Sequence, residues 1–246
     1  MNGKTAGRTE VQARMGGGSM SIDARGLLEL DDPHGVTVIG VRRFGPTRFS
    51  GTVKRAVDLL GALLGLLVAL PLLVAIAVAI KLDSAGPVFF RQLRVGRHGK
   101  GFYMLKFRTM VPDAEALKDS LRDLNEAREG LFKIVDDPRT TRVGRLLRKS
   151  ALDELPQLLN ILRGEMGLVG PRPLVVEEDR RIEGRHRRRL DLTPGMTGPW
   201  QILGPARASL AEMAAIDYMY VVNWSLWADF KILLRTCSHV VGRRGL

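Results

Sequence analysis

The 246-residue chain is 45% hydrophobic and 26% charged, enough to bury one sizeable core with a short appendage, which excludes collagenous, repetitive and wholly disordered chains. Its 38 Lys and Arg against 26 Asp and Glu leave a formal charge of +12, so the expected partners are anions: nucleic acid, phosphorylated small molecules or an anionic membrane surface. The single cysteine, Cys237, excludes an intrachain disulfide and multi-cysteine metal sites, and four scattered histidines form no ligand cluster.

Residues 1–50 mix Gly16-Gly17-Gly18-Ser19 with Asp31-Asp32-Pro33 and few apolar runs. They read as a disordered or loosely attached segment without catalytic elements, and Met20 offers a second start. Residues 51–83 are different text. From Leu59 to Ile80 no charge occurs in 22 residues, with Lys54 and Arg55 before the run and Lys81 after it. A straight helix of that length rises about 33 Å, enough for a hydrocarbon core of about 30 Å. Pro71 stands mid-run, where it removes a helix hydrogen bond and bends the axis, leaving two halves that reach the bilayer middle and return. Cations at both ends give no positive-inside asymmetry. A kinked span and a re-entrant helix both satisfy these facts. Gly61 and Gly65 form a GxxxG, which serves a homodimer or close packing at the kink equally well.

Residues 84–246 read as a catalytic domain, α+β and mainly helical. Pro87–Val95 and Phe102–Arg108 predict a β-hairpin around the turn Gly96–Gly101. Asp113–Glu129 has Leu117, Leu121 and Leu124 at helical spacing and predicts an amphipathic helix. Thr141–Lys149 predicts a short helix with Arg142, Arg145 and Arg148 on one side, suited to headgroups, phosphates or plain solvation.

The acids that matter follow. Leu152, Leu155, Leu158, Leu159 and Leu162 share a helix face, Ser150 and Asp153 have capping-box spacing, and Pro156 argues for a helix start a few residues later. Asp153 then sits at or just before a helix N-terminus, where the dipole favours an anion and lowers a carboxylate pKa. An ionised Asp153 beside phosphates suits a nucleophile or a Mg²⁺ ligand, and Glu154 a proton carrier; a plain helix cap is the competing reading. Gly170-Pro171-Arg172-Pro173 fixes an arginine on a rigid turn, apt for bidentate phosphate binding. Arg185–Arg189 is a basic run expected to face headgroups or solvent. Pro194–Gln201 is a Gly/Pro loop delivering Trp200 and Gln201 to a nucleotide base or a core edge. Ala214–His239 is helical in part, with Trp224 and Trp227 placed like interfacial anchors.

Lys54-Arg55-x-x-Asp58, the Pro71-broken helix, Gly86–Gln92, Lys106-Phe107-Arg108-Thr109-Met110, Asp137-Pro138-Arg139, Leu152–Gln157, Gly170–Pro173 and Pro194–Gly198 together resemble the bacterial sugar transferases. These are monotopic polyprenyl-phosphate phosphoglycosyl transferases, and the likeness covers about Thr52 to Val241 in order. It implies a re-entrant helix at the cytoplasmic membrane with the active site on the cytoplasmic face. It implies transfer of a sugar 1-phosphate from a nucleoside-diphosphate sugar, a UDP-sugar by preference, to polyprenyl (undecaprenyl) phosphate, starting surface-glycan or exopolysaccharide assembly. Asp153 and Glu154 match the catalytic dyad, the aspartate forming a covalent phosphosugar intermediate and helping to bind Mg²⁺. Arg148 and Arg172 match arginines of the phosphate site, Lys106, Arg108 and Gln201 are further candidates for substrate binding, and the chain looks like the minimal catalytic form. Pro199–Ala206 before Arg207 departs from the usual family string, which bears on sugar or nucleotide specificity. Nucleic acid is not an expected partner: 14 aromatics, no zinc-finger motif and no RNP motif argue against it, and no P-loop or Rossmann glycine string is present.

Overall fold

The structure, a computed structural model, describes strands within residues 13–41 and, beyond them, residues 47–114, 116–117, 120–121, 134, 136–203 and 209–242. The chain divides into two units, Met1–Phe44 and Gly45–Leu246. The first carries an antiparallel four-stranded meander in sequential order: β1 (Ala13–Met15), β2 (Gly18–Ile22), β3 (Leu27–Asp31) and β4 (Thr37–Val41). None of these strands exceeds five residues, too short for the apolar alternation to stand out in the sequence.

The second unit begins with α1 (Arg48–Asp83), capped by the Thr47 side chain, which accepts from the Ser50 N–H. Its 36 residues stay helical through Pro71 and correspond to about 54 Å of rise. It is the one described helix long and apolar enough to cross a membrane, and little of its apolar stretch is buried. The exposed side carries Leu60, Leu63, Leu64, Leu67, Val68 and Val74. The opposite side is a continuous seam. Lys54, Asp58 and Ala62 are buried at one end, Ile76 and Ile80 at the other, and Leu66 and Leu73 pack in between. Gly61 and Gly65 lie on that seam: an added Cβ would come 2.6 Å from Leu168 Cδ1 and 3.3 Å from Leu158 Cδ1. The GxxxG stripe therefore serves packing within the chain, and its small-residue face is not offered to a second copy.

The hairpin follows as expected, β5 (Phe89–Val95) and β6 (Gly101–Phe107), antiparallel with Phe89 opposite Phe107 and Val95 opposite Gly101. The helix expected over Asp113–Glu129 lies mostly outside the described residues; those described form turns at 112–114 and 116–117 and one 3₁₀ turn at 120–121. Next come α2 (Arg142–Ser150), α3 (Gln157–Arg163), β7 (Gly167–Val169), the short α4 (Val176–Asp179), β8 (Gly195–Thr197), α5 (Pro199–Leu203), α6 (Leu210–Val222) and α7 (Leu226–Gly242). β7 and β8 pair in parallel, Gly167 opposite Gly195. Backbone approaches so closely there that a Cβ on Gly195 would lie 2.0 Å from Gly170 N. The architecture is α+β and mainly helical.

Four apolar clusters hold the unit. One joins Ala62 of α1 to Phe102 and Met104 of β6 and to Leu158, Ile161 and Met166. A second joins Ile76 and Ile80 to Phe107 and Leu147, so each half of α1 has its own contact with the hairpin. The other two gather Leu174, Ile182, Leu210 and Met213, with Trp200 at the edge, and Val169, Leu192, Tyr220 and Val221. Trp200 thus fills a core edge.

Candidate functional site

Asp153 lies on the turn between α2 and α3, and two local features put it there. α2 ends at Ala151, whose left-handed φ of 55° turns the chain sharply, and the Ser150 hydroxyl donates back to the Leu146 and Leu147 carbonyls. Ser150 therefore terminates α2, and the capping-box spacing with Asp153 is not used. Leu152–Glu154 form one 3₁₀ turn, and Pro156 occupies the N-cap of α3, where its missing N–H costs nothing. α2 itself is held close: a Cβ on Gly144 would lie 2.0 Å from Thr109 O, so only glycine admits this approach of helix to hairpin exit.

The hairpin supplies the cation. Lys106 Nζ donates to Glu154 Oε1 at 2.6 Å and stands 4.0 Å from Asp153 Oδ2. One ammonium thus serves both acids. The edge of β6 is fixed from below by Asn160 of α3, which is wholly buried: its Oδ1 accepts the Leu105 N–H at 2.9 Å and its Nδ2 donates to Tyr103 O and Glu165 Oε2. Asn160 places Lys106 relative to the turn. Its role was hidden in the sequence because a lone Asn in a leucine-rich helix carries no sign of a partner 55 residues away.

Burial pushes the Asp153 carboxyl above its ordinary value; Lys106 and Arg148 pull it down, and Glu154 adds to the rise. The expectation from the helix end was a lowered value. It fails because the side chain is only 13% exposed, and loss of hydration outweighs a dipole that acts only within the first turn. Arg148 is exposed on the last turn of α2, with Nη1 on Thr140 Oγ1 at 3.1 Å, within electrostatic range of Asp153. Arg172 is exposed on its turn between β7 and α4, the backbone N–H held by Asp217 Oδ2 at 3.2 Å and the carbonyl by the Arg189 guanidinium.

The remaining expected residues fall elsewhere. Arg108 is buried and clamps the end of α1, donating to Ala85 O and Ser84 O at 2.8 Å each, so its guanidinium is not brought to the dyad. Gln201 on α5 has a buried Oε1 without a partner among the described residues, beside Gly198 at the end of β8. Pro71 lies inside α1, remote in sequence from the acids.

The basic run Arg185–Arg189 is not uniformly a solvated face. Arg189 is 1% exposed and pairs with Asp217 at 3.0 Å and Asp179 at 3.6 Å, while Arg187 pairs with Asp179 and Arg188 with Asp191. Trp224 is likewise not a free anchor: its indole N–H donates to Asp229 Oδ1, which also accepts from Tyr220, while Asp229 Oδ2 accepts from Lys54 at 2.9 Å. Lys54 also donates to Val169 O, and Asp58 Oδ1 accepts the Leu168 N–H, so the start of α1 is bolted to β7 and α7 by charge-assisted bonds. Trp227 is exposed and stacks on Phe230.

Among the described residues no three His, Cys, Asp or Glu side chains converge on one point. The donor set still suits Mg²⁺, which takes one or two carboxylates and fills its octahedron with phosphate oxygens and water. Asp153, a hard oxygen ligand near Arg148 and Lys106, is the residue that would hold it.

The model of the family described as bacterial sugar transferase matches residues 49–243. The chain is 42% identical over 189 residues to the galactosyl transferase CpsE of Streptococcus agalactiae, covering 76% of this chain and 42% of that protein. It is 41% identical over 216 residues to the undecaprenyl-phosphate galactose phosphotransferase of Salmonella typhimurium (86% and 45%), and 44% identical over 199 residues to the exopolysaccharide production protein ExoY of Rhizobium meliloti (79% and 88%). It thus spans less than half of the first two relatives and most of the third. With that match running from the first turn of α1 to the end of α7, the chain belongs to the bacterial sugar transferase family.

Proposed function

We propose that this protein transfers a sugar 1-phosphate from a nucleoside-diphosphate sugar, UDP-linked, to undecaprenyl phosphate at the cytoplasmic face of a bacterial inner membrane, an opening step of surface-glycan assembly. The observation that carries the reading is the Asp153–Lys106–Glu154 cluster, a largely buried carboxylate and its neighbour sharing one ammonium near Arg148.

Asp153 Oδ attacks the β-phosphorus of the donor; the bond from that phosphorus to the bridging oxygen breaks, and nucleoside monophosphate leaves with the electron pair. The product is an acyl phosphate, a mixed anhydride of the Asp153 carboxylate and the sugar phosphate. An oxygen of the lipid phosphate then attacks the same phosphorus and expels Asp153, giving the polyprenyl diphosphate sugar. Lys106 keeps Asp153 ionised despite its burial and offsets phosphoryl charge. Glu154, paired with Lys106, takes the role of keeping the acceptor phosphate deprotonated. Asp153 is the residue that would hold a Mg²⁺ ion, which would supply charge neutralisation of the diphosphate.

The seam on α1 supports a helix that enters and leaves on one face. Contacts with the rest of the unit recur from Lys54 to Ile80, and the longest interval, Leu66 to Leu73, is about 10 Å of helix against about 30 Å of hydrocarbon. A straight crossing would strip one end of its partners. Cysteines placed at Phe49 and Lys81 in a Cys237→Ser background should both react with an impermeant reagent only from the cytoplasmic side; opposite sidedness would refute re-entry.

The chemistry is tested with donor alone. Purified protein in lipid nanodiscs should release about one equivalent of nucleoside monophosphate and retain a sugar phosphate, and Asp153→Asn should do neither. Release by Asp153→Asn at the wild-type rate would reduce Asp153 to a turn residue.

A further inference from the structure

The face of the hairpin that carries Lys106 carries a second cation. In the observed register Phe90 is opposite Lys106, Gln92 opposite Met104 and Arg94 opposite Phe102, so Gln92 and Arg94 share the face of Lys106. Arg94 is half-buried and immobilised. Its Nε and Nη2 donate to Gln92 Oε1 at 3.1 and 2.5 Å, and its Nη1 donates to Pro173 O at 3.0 Å. Pro173 follows Arg172, and the neighbouring Val95 N–H donates to Leu174 O, so the end of β5 is stitched to the Arg172 turn.

What Arg94 lacks is an ion-pair partner in contact: Glu178 and Glu154 act on it only electrostatically, from beyond 4 Å. Buried Arg139 and Arg189 have carboxylates at 2.6 and 3.0 Å, and Arg55 and Arg108 draw on carbonyls at or just past helix C-termini. Among the described residues no carboxylate comes within 4 Å of the guanidinium of Arg94 or of Arg172, although Asp217 Oδ2 accepts the Arg172 backbone N–H. Burial and the charge of Arg172 bring Arg94 down to about 10, still cationic at neutral pH. Arg94 is fixed by its side-chain bonds and Arg172 by its backbone, neither guanidinium has a carboxylate in ion-pair contact, and the three Arg94 bonds leave two of its five N–H groups for a ligand.

We infer that Arg94 and Arg172 form a two-guanidinium subsite for a phosphoryl group, with Gln92 as the residue that aims Arg94. The assignment deepens the proposed function and takes its substrate classes from it. The phosphoryl group belongs either to the diphosphate of the donor or to the lipid phosphate; both present the doubly charged oxygen fork that paired guanidiniums bind.

The test uses the full chain in nanodiscs and inorganic pyrophosphate without Mg²⁺, at constant ionic strength with chloride as control. Wild type should gain Tm with pyrophosphate. Arg94→Met should show a higher Tm than wild type without ligand, because a like-charge neighbour is gone, and at least about tenfold weaker pyrophosphate binding. Gln92→Leu should keep the charge and weaken binding less. Loss of Tm in ligand-free Arg94→Met, with pyrophosphate binding intact in Gln92→Leu and Arg94→Lys, would assign Arg94 a structural role and overturn the subsite. So would wild-type pyrophosphate binding by a folded Arg94→Met. Turnover then separates the sources: a raised KM for the nucleotide sugar in donor-only release points to the donor diphosphate, a raised KM for the lipid alone to the acceptor. Arg94-dependent pyrophosphate binding in a protein that turns over no nucleotide sugar would sustain the subsite and sink the proposed reaction.

Discussion

Lys106→Met removes the only cation in ion-pair contact with the two acids among the described residues, at 2.6 Å from Glu154 and 4.0 Å from Asp153. Two unit charges 4 Å apart attract by about 1 kcal/mol in bulk water and about 4 kcal/mol at an effective dielectric of 20. The side chains of Lys106 and Asp153 are 23% and 13% exposed, which places the pair between these limits and nearer the second. At 1.36 kcal/mol per factor of ten, the ionised Asp153 loses about one to three decades of stabilisation. Burial already holds Asp153 above the usual carboxylate range, and Lys106 is the largest influence in the other direction. The acidic limb of donor-only nucleotide release should therefore move to higher pH in Lys106→Met, with kcat/KM at neutral pH down about 10- to 1000-fold. Lys106→Arg keeps the charge and should keep the limb near its wild-type position. The assay is a pH series of single-turnover release. A Lys106→Met enzyme that is slow at every pH but has its limb unmoved would show that Lys106 positions phosphate and does not govern Asp153.

Three further outcomes are expected. The folded-state value of Asp153 lies above the unfolded one, so its ionisation subtracts from stability at neutral pH and stops doing so as pH falls below the ordinary carboxylate range. Asp153→Asn should then abolish transfer while raising Tm at pH 7, with the gain vanishing toward low pH; a lower Tm at pH 7 would contradict the sign. Ala151 pays about 1–2 kcal/mol for its left-handed φ, so Ala151→Gly should raise Tm by a few degrees with the site intact, and a fall would show that its methyl packs more than it strains. Chelation by EDTA should stop turnover and Mg²⁺ restore it, while full activity in excess chelator would remove the metal from the site.

The sequence made legible what is local. A chargeless run announces α1, alternation bounded by Gly96 and Gly101 announces the hairpin, and Thr141 marks the start of α2 within one residue. The turn that carries Asp153 and Glu154 is legible because Pro156 restricts where α3 can begin. Pairings across long separations were not legible. Lys54 meets Asp229 across 175 residues and Arg189 meets Asp217 across 28, and in a list of residues each of these charges looks like a solvated one. Arg108 was assigned to phosphate for the same reason: a strand-end arginine gives no hint that it will close the end of a helix 24 residues earlier. The direction of the Asp153 shift is not legible in the sequence because helix position is local, whereas burial comes in part from packing against β6, distant in the chain.

The seam along α1 has a consequence for how such an enzyme can be handled and how it evolves. Ala62, Ile76 and Ile80 are not an anchor attached to a finished domain; they are interior residues of the clusters that also contain Phe102, Phe107 and Leu147. Cutting before Gly86 would leave Leu158, Ile161 and Phe107 facing water, so a water-soluble catalytic fragment should not exist as a folded species. Under the proposed membrane placement the residues that enter lipid and those that complete the core belong to one helix, so a flexible tether cannot replace it.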